Sequence, residues 1–153
     1  MFRPDKIASH ADNKSNKDSR ASRSLLCPHT GNGTQTQITL YAEFDEHDTP
    51  ETKYIVVVDD YLPVATCRLY AIDNERVMLG RIVVLPEYRH QGLGTLVVQE
   101  AEKWAEELGY RTSVLESRDN KIHFYETMGY VADYSQKIVG ETFTCYKMEK
   151  QLK

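Results

Sequence analysis

Residues 88–98 read YRHQGLGTLVV. Gly92 and Gly94 stand two apart just behind Arg89, and an amphipathic run starts at once. The preceding RIVVLP reads as a buried strand closed by a proline. Strand, glycine turn and helix start together suit one kind of chemistry, the binding of a phosphate-like anion. Glycine lets the backbone approach a ligand because no Cβ intervenes. Amides from about Gln91 to Leu96 then face the anion, and the helix N-terminus adds partial positive charge. Arg89 can add a charge-assisted bond. From the glycines alone, a plain β–α turn that binds nothing remains an equal alternative. A P-loop is excluded, because Thr95-Leu96 follows Gly94 where Lys and Ser/Thr belong. A dinucleotide fold is excluded too, because Val97 fills the third glycine position and the preceding strands form a meander.

The elements that must position this turn follow from the apolar pattern. KYIVVVDD, VATCRLYAI and VMLGRIVVLP read as three successive strands, with Gly80 marking a bulge in the third. Thr95 to Leu108 reads as a helix. Its expected buried face is Val97, Ala101, Trp104, Ala105 and Leu108, with Gln99, Glu100, Glu102, Lys103, Glu106 and Glu107 on the solvent side. Gly109 ends it. RTSVLE is the next strand, and Asp119 is placed to cap a short helix through Met128, ended by Gly129. Tyr130–Tyr134 and Thr142–Met148 read as a final strand pair. The expected class is α/β with a mixed sheet.

Composition bounds the rest. The 153 residues suit one domain. No window is long and apolar enough for a membrane span, and LLC is too short for a signal-peptide core. Cys27, Cys67 and Cys145 are odd in number and far apart, no Cys/His cluster has zinc spacing, and reduced thiols in the cytoplasm are the expected state. A net charge of −4 gives no case for nucleic acid. Residues 1–37 differ from the remainder: they carry six Lys/Arg against three Asp and few large apolar side chains. Such a stretch is expected to be mostly flexible, with at most a weak helix. The expected domain is residues 38–153.

RIVVLPEYRHQGLGTLVVQEAEKWAEELGY, followed by HFYETMGY, resembles the GNAT superfamily of acyl-CoA-dependent N-acyltransferases of bacterial type. EFDEHDTPETKYIVVVDDYLPVATCRL is also similar, so the resemblance runs from about Gln37 to Leu152. It implies a mixed, mostly antiparallel twisted sheet, splayed at the acyl-CoA site and flanked by helices. Ile82, Val83 and Val84 would pair with the pantetheine of acetyl-CoA like an added strand. Arg89, His90, Gln91, Gly92, Leu93, Gly94 and Thr95 would cradle its pyrophosphate. Tyr125 would protonate the leaving thiolate; read from the residues alone it is a core aromatic. Arg118 stands where many members carry Asn, and either reaches a phosphate or ribose or faces solvent. Residues 1–37 do not resemble the strand and helices that open the family fold.

An amine with a pKa of about 10.4 must lose a proton before it attacks a thioester. No carboxylate lies on VMLGRIVVL, so Glu116 is the nearest plausible base, with a solvated strand-end acid as the plainer reading. The acidic stretch EFDEHD either draws a cationic amine or is a solvated loop. Arg68 either enters the acceptor cleft or pairs with an acid. His47 and His123 are read as surface or helix residues, and Cys67 and Cys145 as packing residues. The expected function is direct acetyl transfer from acetyl-CoA to an amine, on a small molecule or a protein, without a metal, nucleic acid or membrane. A homodimer is left open. The rival readings are a non-catalytic acyl-CoA sensor and a truncated gene product.

Overall fold

The computed structural model describes residues 7–8, 45–140 and 143–153. Its strands are β1 (Ile7–Ala8), β2 (Lys53–Asp59), β3 (Leu62–Ala71), β4 (Arg76–Val84), β5 (Thr112–Arg118), β6 (Val131–Val139) and β7 (Thr144–Gln151). Two helices, α1 (Leu93–Glu107) and α2 (Ile122–Glu126), follow β4 and β5, each entered through a short 3-10 turn. The sheet order is β1-β2-β3-β4-β5-β7-β6, and every neighbouring pair is antiparallel except β4 with β5. This is the mixed, mostly antiparallel α/β sheet that the sequence implied. Among the described residues no helix is long and apolar enough to cross a membrane.

Alternation sorts the strands into two faces. Ile55 and Val57, Cys67 and Leu69, Val77 and Leu79, Leu115 and Met148 point to the side covered by α1 and are buried. From α1 they meet Leu93, Val97, Val98, Ala101 and Ala105. The expected stripe is thus rotated toward the helix start. Trp104 is only partly buried, and Leu108 is the C-cap, 46% exposed.

Three further expectations change. Glu102, expected in solvent, is 7% exposed, and its Oε2 accepts from Lys150 Nζ of β7 at 2.6 Å. Asp119 does not cap α2; its carboxylate accepts from the amide of Asn120, and the α2 N-cap is Lys121 with no side-chain bond. β6 runs five residues beyond Tyr134, because a three-residue excursion, Tyr134–Gln136, lets pairing with β7 resume at Lys137. Within the segment expected to be flexible, Ile7 and Ala8 pair with Val57 and Val56 as an edge strand. The remainder of residues 1–37 lies outside the described residues.

The Glu102–Lys150 pair ties α1 to β7. Lys150 also lies 5.6 Å from the Tyr130 ring centroid, and Tyr130 shares a 2.7 Å hydrogen bond with Ser113. Removing one partner from a buried ion pair strands the other charge. Lys150→Met is therefore expected to lower unfolding free energy by roughly 2–3 kcal/mol, and the double variant Glu102→Leu/Lys150→Met to recover most of it, as read by urea unfolding.

Candidate active site

The site is set by where the parallel pair stops. β4 and β5 are in register from Arg76↔Thr112 to Leu79↔Leu115 and no further. Beyond that point β4 continues to Val84 and stays on β3, while Glu116, Ser117 and Arg118 stay on β7. A gap opens between the strands, with one unpaired edge of β4 along it.

The divergence has a local cause. Between Thr66↔Val83 and Arg68↔Gly80, two β4 residues, Arg81 and Ile82, oppose the single residue Cys67. This bulge lies one residue beyond Gly80, where the sequence placed it. Arg81 adopts φ 47°, a left-handed conformation that costs a non-glycine residue about 1–2 kcal/mol. Gly80 itself is not required by space: a Cβ there would stand in ordinary contact with the Arg68 guanidinium, 3.8 Å from Nη2.

At the mouth of the gap β4 passes through Leu85 and the turn Pro86–Tyr88 into the glycine turn. His90 (φ 60°) and Gly92 (φ 80°) are left-handed, and Gly92 is the N-cap of α1. No described side chain caps this helix. The amide of Leu96 bonds the carbonyl of Gly92, so the anion-facing set narrows to the amides of Leu93, Gly94 and Thr95, the first three of the helix. An uncapped helix start beside an unpaired strand edge fits a phosphate ester with an extended amide arm. Arg89 Nε donates to the Val84 carbonyl at 3.1 Å, which docks its side chain at the strand end, and Gln91 Nε2 donates to the Glu87 carbonyl. His90 is exposed, whereas Leu93 is core and offers only its backbone. Gly94 has a packing reason, since a Cβ there would stand 3.2 Å from Phe124 Cζ.

Tyr125 follows Phe124 on α2 and packs against the core, edge-on to the Tyr130 ring at 6.0 Å. Burial pushes its phenol up to about 12, with a smaller push from Cys67. It is a proton donor at neutral pH. Glu116 is exposed and alternates with core-facing Leu115 and Ser117, so it points to the opposite face. Its charge reaches Tyr70 and Cys145. Of the two residues named for proton transfer, Glu116 thus lies just past the last β4–β5 pair on the face away from the core, whereas Tyr125 packs on the core side. Arg118 lies over the Phe143 ring, 4.0 Å from its centroid. Cys67 is buried, and burial raises its thiol to about 12, so it packs rather than attacks. Among the described residues no group of three or more His, Cys, Asp or Glu is placed to hold a metal.

The Glu116 face carries a cluster that the sequence left open. Arg68, 5% exposed, sends Nη1 to Asp45 Oδ1 (2.9 Å) and Asp48 Oδ1 (3.0 Å), and Nη2 to Asp45 Oδ2 (3.0 Å). Arg81 Nη2 lies 3.4 Å from Asp45 Oδ2 and 3.8 Å from Asp48 Oδ2. Of the acidic stretch, then, Asp45 and Asp48 are paired with arginines, while Glu46 is exposed. His47 is stacked flat on Tyr70 at 4.2 Å. A cleft of about 310 Å³, lined by Glu46, His47, Lys53, Tyr70, Leu108 and Tyr110 among others, lies toward the other end of the sheet, where β4 starts. Sequence reasoning missed Asp48 and Arg81. The usable signal was an acidic run upstream of a meander whose inner strands each carry an arginine.

The comparisons agree with this geometry. The model of the acetyltransferase (GNAT) family matches residues 20–130, a span that begins ahead of Gln37. An uncharacterised acetyltransferase of Streptococcus pyogenes serotype M1 is 30% identical over 110 residues, 72% of this chain and 77% of the relative. A crystal structure of a presumed N-acetyltransferase from Lactobacillus plantarum superposes with a TM-score of 0.70 at 28% identity, covering 77% of this chain and 81% of the other. An aminoglycoside 6′-N-acetyltransferase solved with coenzyme A shares the fold, with a TM-score of 0.60 at 19% identity over 74% of this chain and 79% of the other.

Two outcomes are expected from the geometry. Gly94→Val pushes on Phe124 even without a ligand, so it should lower unfolding free energy by about 1–3 kcal/mol in a thermal or urea melt. The second concerns pH. Burial pushes the Asp48 carboxyl up, but bonds from Tyr54, the Asp45 amide and Arg68 outweigh it and leave it at about 2. The Arg68 hydrogen bond also lowers Asp45. A carboxyl depressed on folding stabilises above its unfolded value of about 3.9 and loses that contribution as pH falls through the folded value. Stability should fall between about pH 4 and pH 2, and Asp48→Asn should flatten that part of the curve in urea titrations. The parted strands, the uncapped helix start and the matched sequence lead to one assignment: this chain belongs to the GNAT acetyltransferase family.

Proposed function

We propose that the protein transfers an acetyl group from acetyl-CoA to the nitrogen of an amine. The observation that carries this reading is the gap past Leu79 and Leu115 with the start of α1 beside it; the Tyr125 phenol, packed on the core side of the sheet, is the donor the reading assigns. Bound acetyl-CoA would supply an activated thioester. The edge of β4 at Ile82, Val83 and Val84 offers backbone groups to an amide arm, and the amides of Leu93, Gly94 and Thr95 offer donors to a pyrophosphate. Arg89 adds a positive charge beside them. The coenzyme A held by the structurally similar aminoglycoside acetyltransferase supports the same choice of donor.

Tyr125 holds its proton at neutral pH, so the phenol is available to hydrogen-bond to and protonate the sulfur as negative charge builds on it. Glu116 faces the other side of the gap, where an acceptor amine would enter, and accepts its proton directly or through water. The exposed carboxylates of Glu116 and Glu46 favour a cationic acceptor. One observation favours a second reading, a non-catalytic acyl-CoA sensor: β4 carries no carboxylate from Arg76 to Val84.

Thiol release from acetyl-CoA over a panel of amines, beside a binding titration, separates the two. Transfer to at least one amine supports the enzyme; binding without transfer to any amine supports the sensor. Tyr125→Phe keeps the ring packing and removes the donor. Turnover is expected to fall roughly 10²-fold with acetyl-CoA affinity little changed, because the lost contact matters mainly in the transition state. A rate within about twofold of the parent removes Tyr125 from the mechanism.

A further inference from the structure

Arg81 is a non-glycine residue held in the left-handed region inside the bulge that turns β4 away from β5. Its side chain is 26% exposed and reaches Asp45 and Asp48 on the turn before β2. That turn is itself fixed. The Asp45 amide donates to Asp48 Oδ2 at 2.8 Å, and the His47 amide donates to Asp45 Oδ1 at 2.9 Å. The Thr52 hydroxyl bonds the His47 carbonyl, and the Tyr54 hydroxyl bonds Asp48. The two carboxylates therefore arrive at Arg81 from a closed loop anchored on β2 and on the buried Arg68.

We propose that Asp45 is a positioning residue for the acyl-CoA groove, acting through Arg81 to hold the β4 bulge in register. The proposal rests on the acyl-CoA reading above and adds to it a residue that touches neither donor nor acceptor. The division of labour follows from the distances. Asp48 keeps one bond to Arg68, at 3.0 Å, when Asp45 is lost, and between Asp45 and Asp48 the shorter contact to Arg81 is the one from Asp45. Losing the Asp45 charge therefore takes two bonds from Arg68 and the shorter contact from Arg81, and the Arg81→Gly background separates the two effects. If Arg81 leaves the left-handed region, the bulge dissolves and Ile82–Val84 slip by one residue against β3. A one-residue slip turns each side chain to the other face and moves the edge groups offered to the amide arm.

The test compares Asp45→Asn, Asp45→Glu, Arg81→Gly and the double variant Asp45→Asn/Arg81→Gly with the parent. Calorimetry measures CoA and, separately, 3′-phospho-ADP, which is CoA without its pantetheine arm. Hydrogen exchange in the ligand-free protein follows the peptide covering residues 80–85. Asp45→Asn should weaken CoA by roughly tenfold, leave 3′-phospho-ADP within about twofold, and speed exchange in that peptide. Asp45→Glu should restore most of the CoA affinity. Glycine adopts the left-handed conformation without help, so Asp45→Asn should cost little in the Arg81→Gly background. Equal loss for both ligands, unchanged CoA affinity, or the same Asp45→Asn penalty with Gly at 81 overturns the proposal. A parent that binds no CoA overturns the acyl-CoA reading instead, while exchange in residues 80–85 still reports whether Asp45 holds the bulge.

Discussion

The four-residue limit on β4–β5 pairing is the constraint around which this molecule is arranged. A parallel pair normally continues as long as its strands do, because each unpaired backbone group near the interior costs free energy. Here both strands continue past Leu79 and Leu115 on different partners, β4 on β3 and β5 on β7. The sheet thus behaves as two antiparallel halves joined by a short parallel hinge. The β4 edge exposed at the split is left with backbone groups that a ligand could satisfy, which is what the acyl-CoA proposal draws on.

Two ionic contacts keep the halves in place, one on each face. On the core side, Glu102 of α1 meets Lys150 of β7, tying the helix that leaves the glycine turn to the second half of the sheet. On the other side, Asp45 and Asp48 gather Arg68 of β3 and Arg81 of β4, tying the turn before β2 to the bulge. Neither contact touches the mouth of the gap. The mouth is shaped by packing: Leu93 enters the core, Gly94 lets Phe124 approach, and Tyr125 is set against Tyr130.

The sequence made the regular parts legible. Runs such as KYIVVVDD and the spacing of Val97, Ala101 and Ala105 declare a strand and a helix through periodicity alone, and the glycine turn stands between two such signals. What stayed hidden depends on residues far apart in the chain. Glu102 reads as a solvent residue until Lys150, 48 positions later, arrives beside it. Arg81 reads as an ordinary strand residue, because a left-handed φ leaves no mark on a non-glycine side chain. Gly80 beside it was the only local hint. Leu108 was assigned to the core by its spacing, yet the helix ends there and leaves it exposed. The face bearing Glu116 and the Asp45 cluster carried no periodic signal, so the sequence offered an acid partner for Arg68 as one alternative and the structure supplied which acids, Asp45 and Asp48, it meets.

The parallel hinge also bears on how the chain reaches this shape. β2, β3 and β4 are joined by short turns, so each strand finds its partner at small entropic cost. Arg76 must instead wait for Thr112, and the whole of α1 must form in between. Contacts of large sequence separation are slow to form. The β2–β4 meander is thus a natural early folding unit, and the four pairs from Arg76↔Thr112 to Leu79↔Leu115 join it to β5 across 36 residues of chain. The groove therefore comes into being only once a long-range pairing has closed, after the local meander that supplies one of its walls.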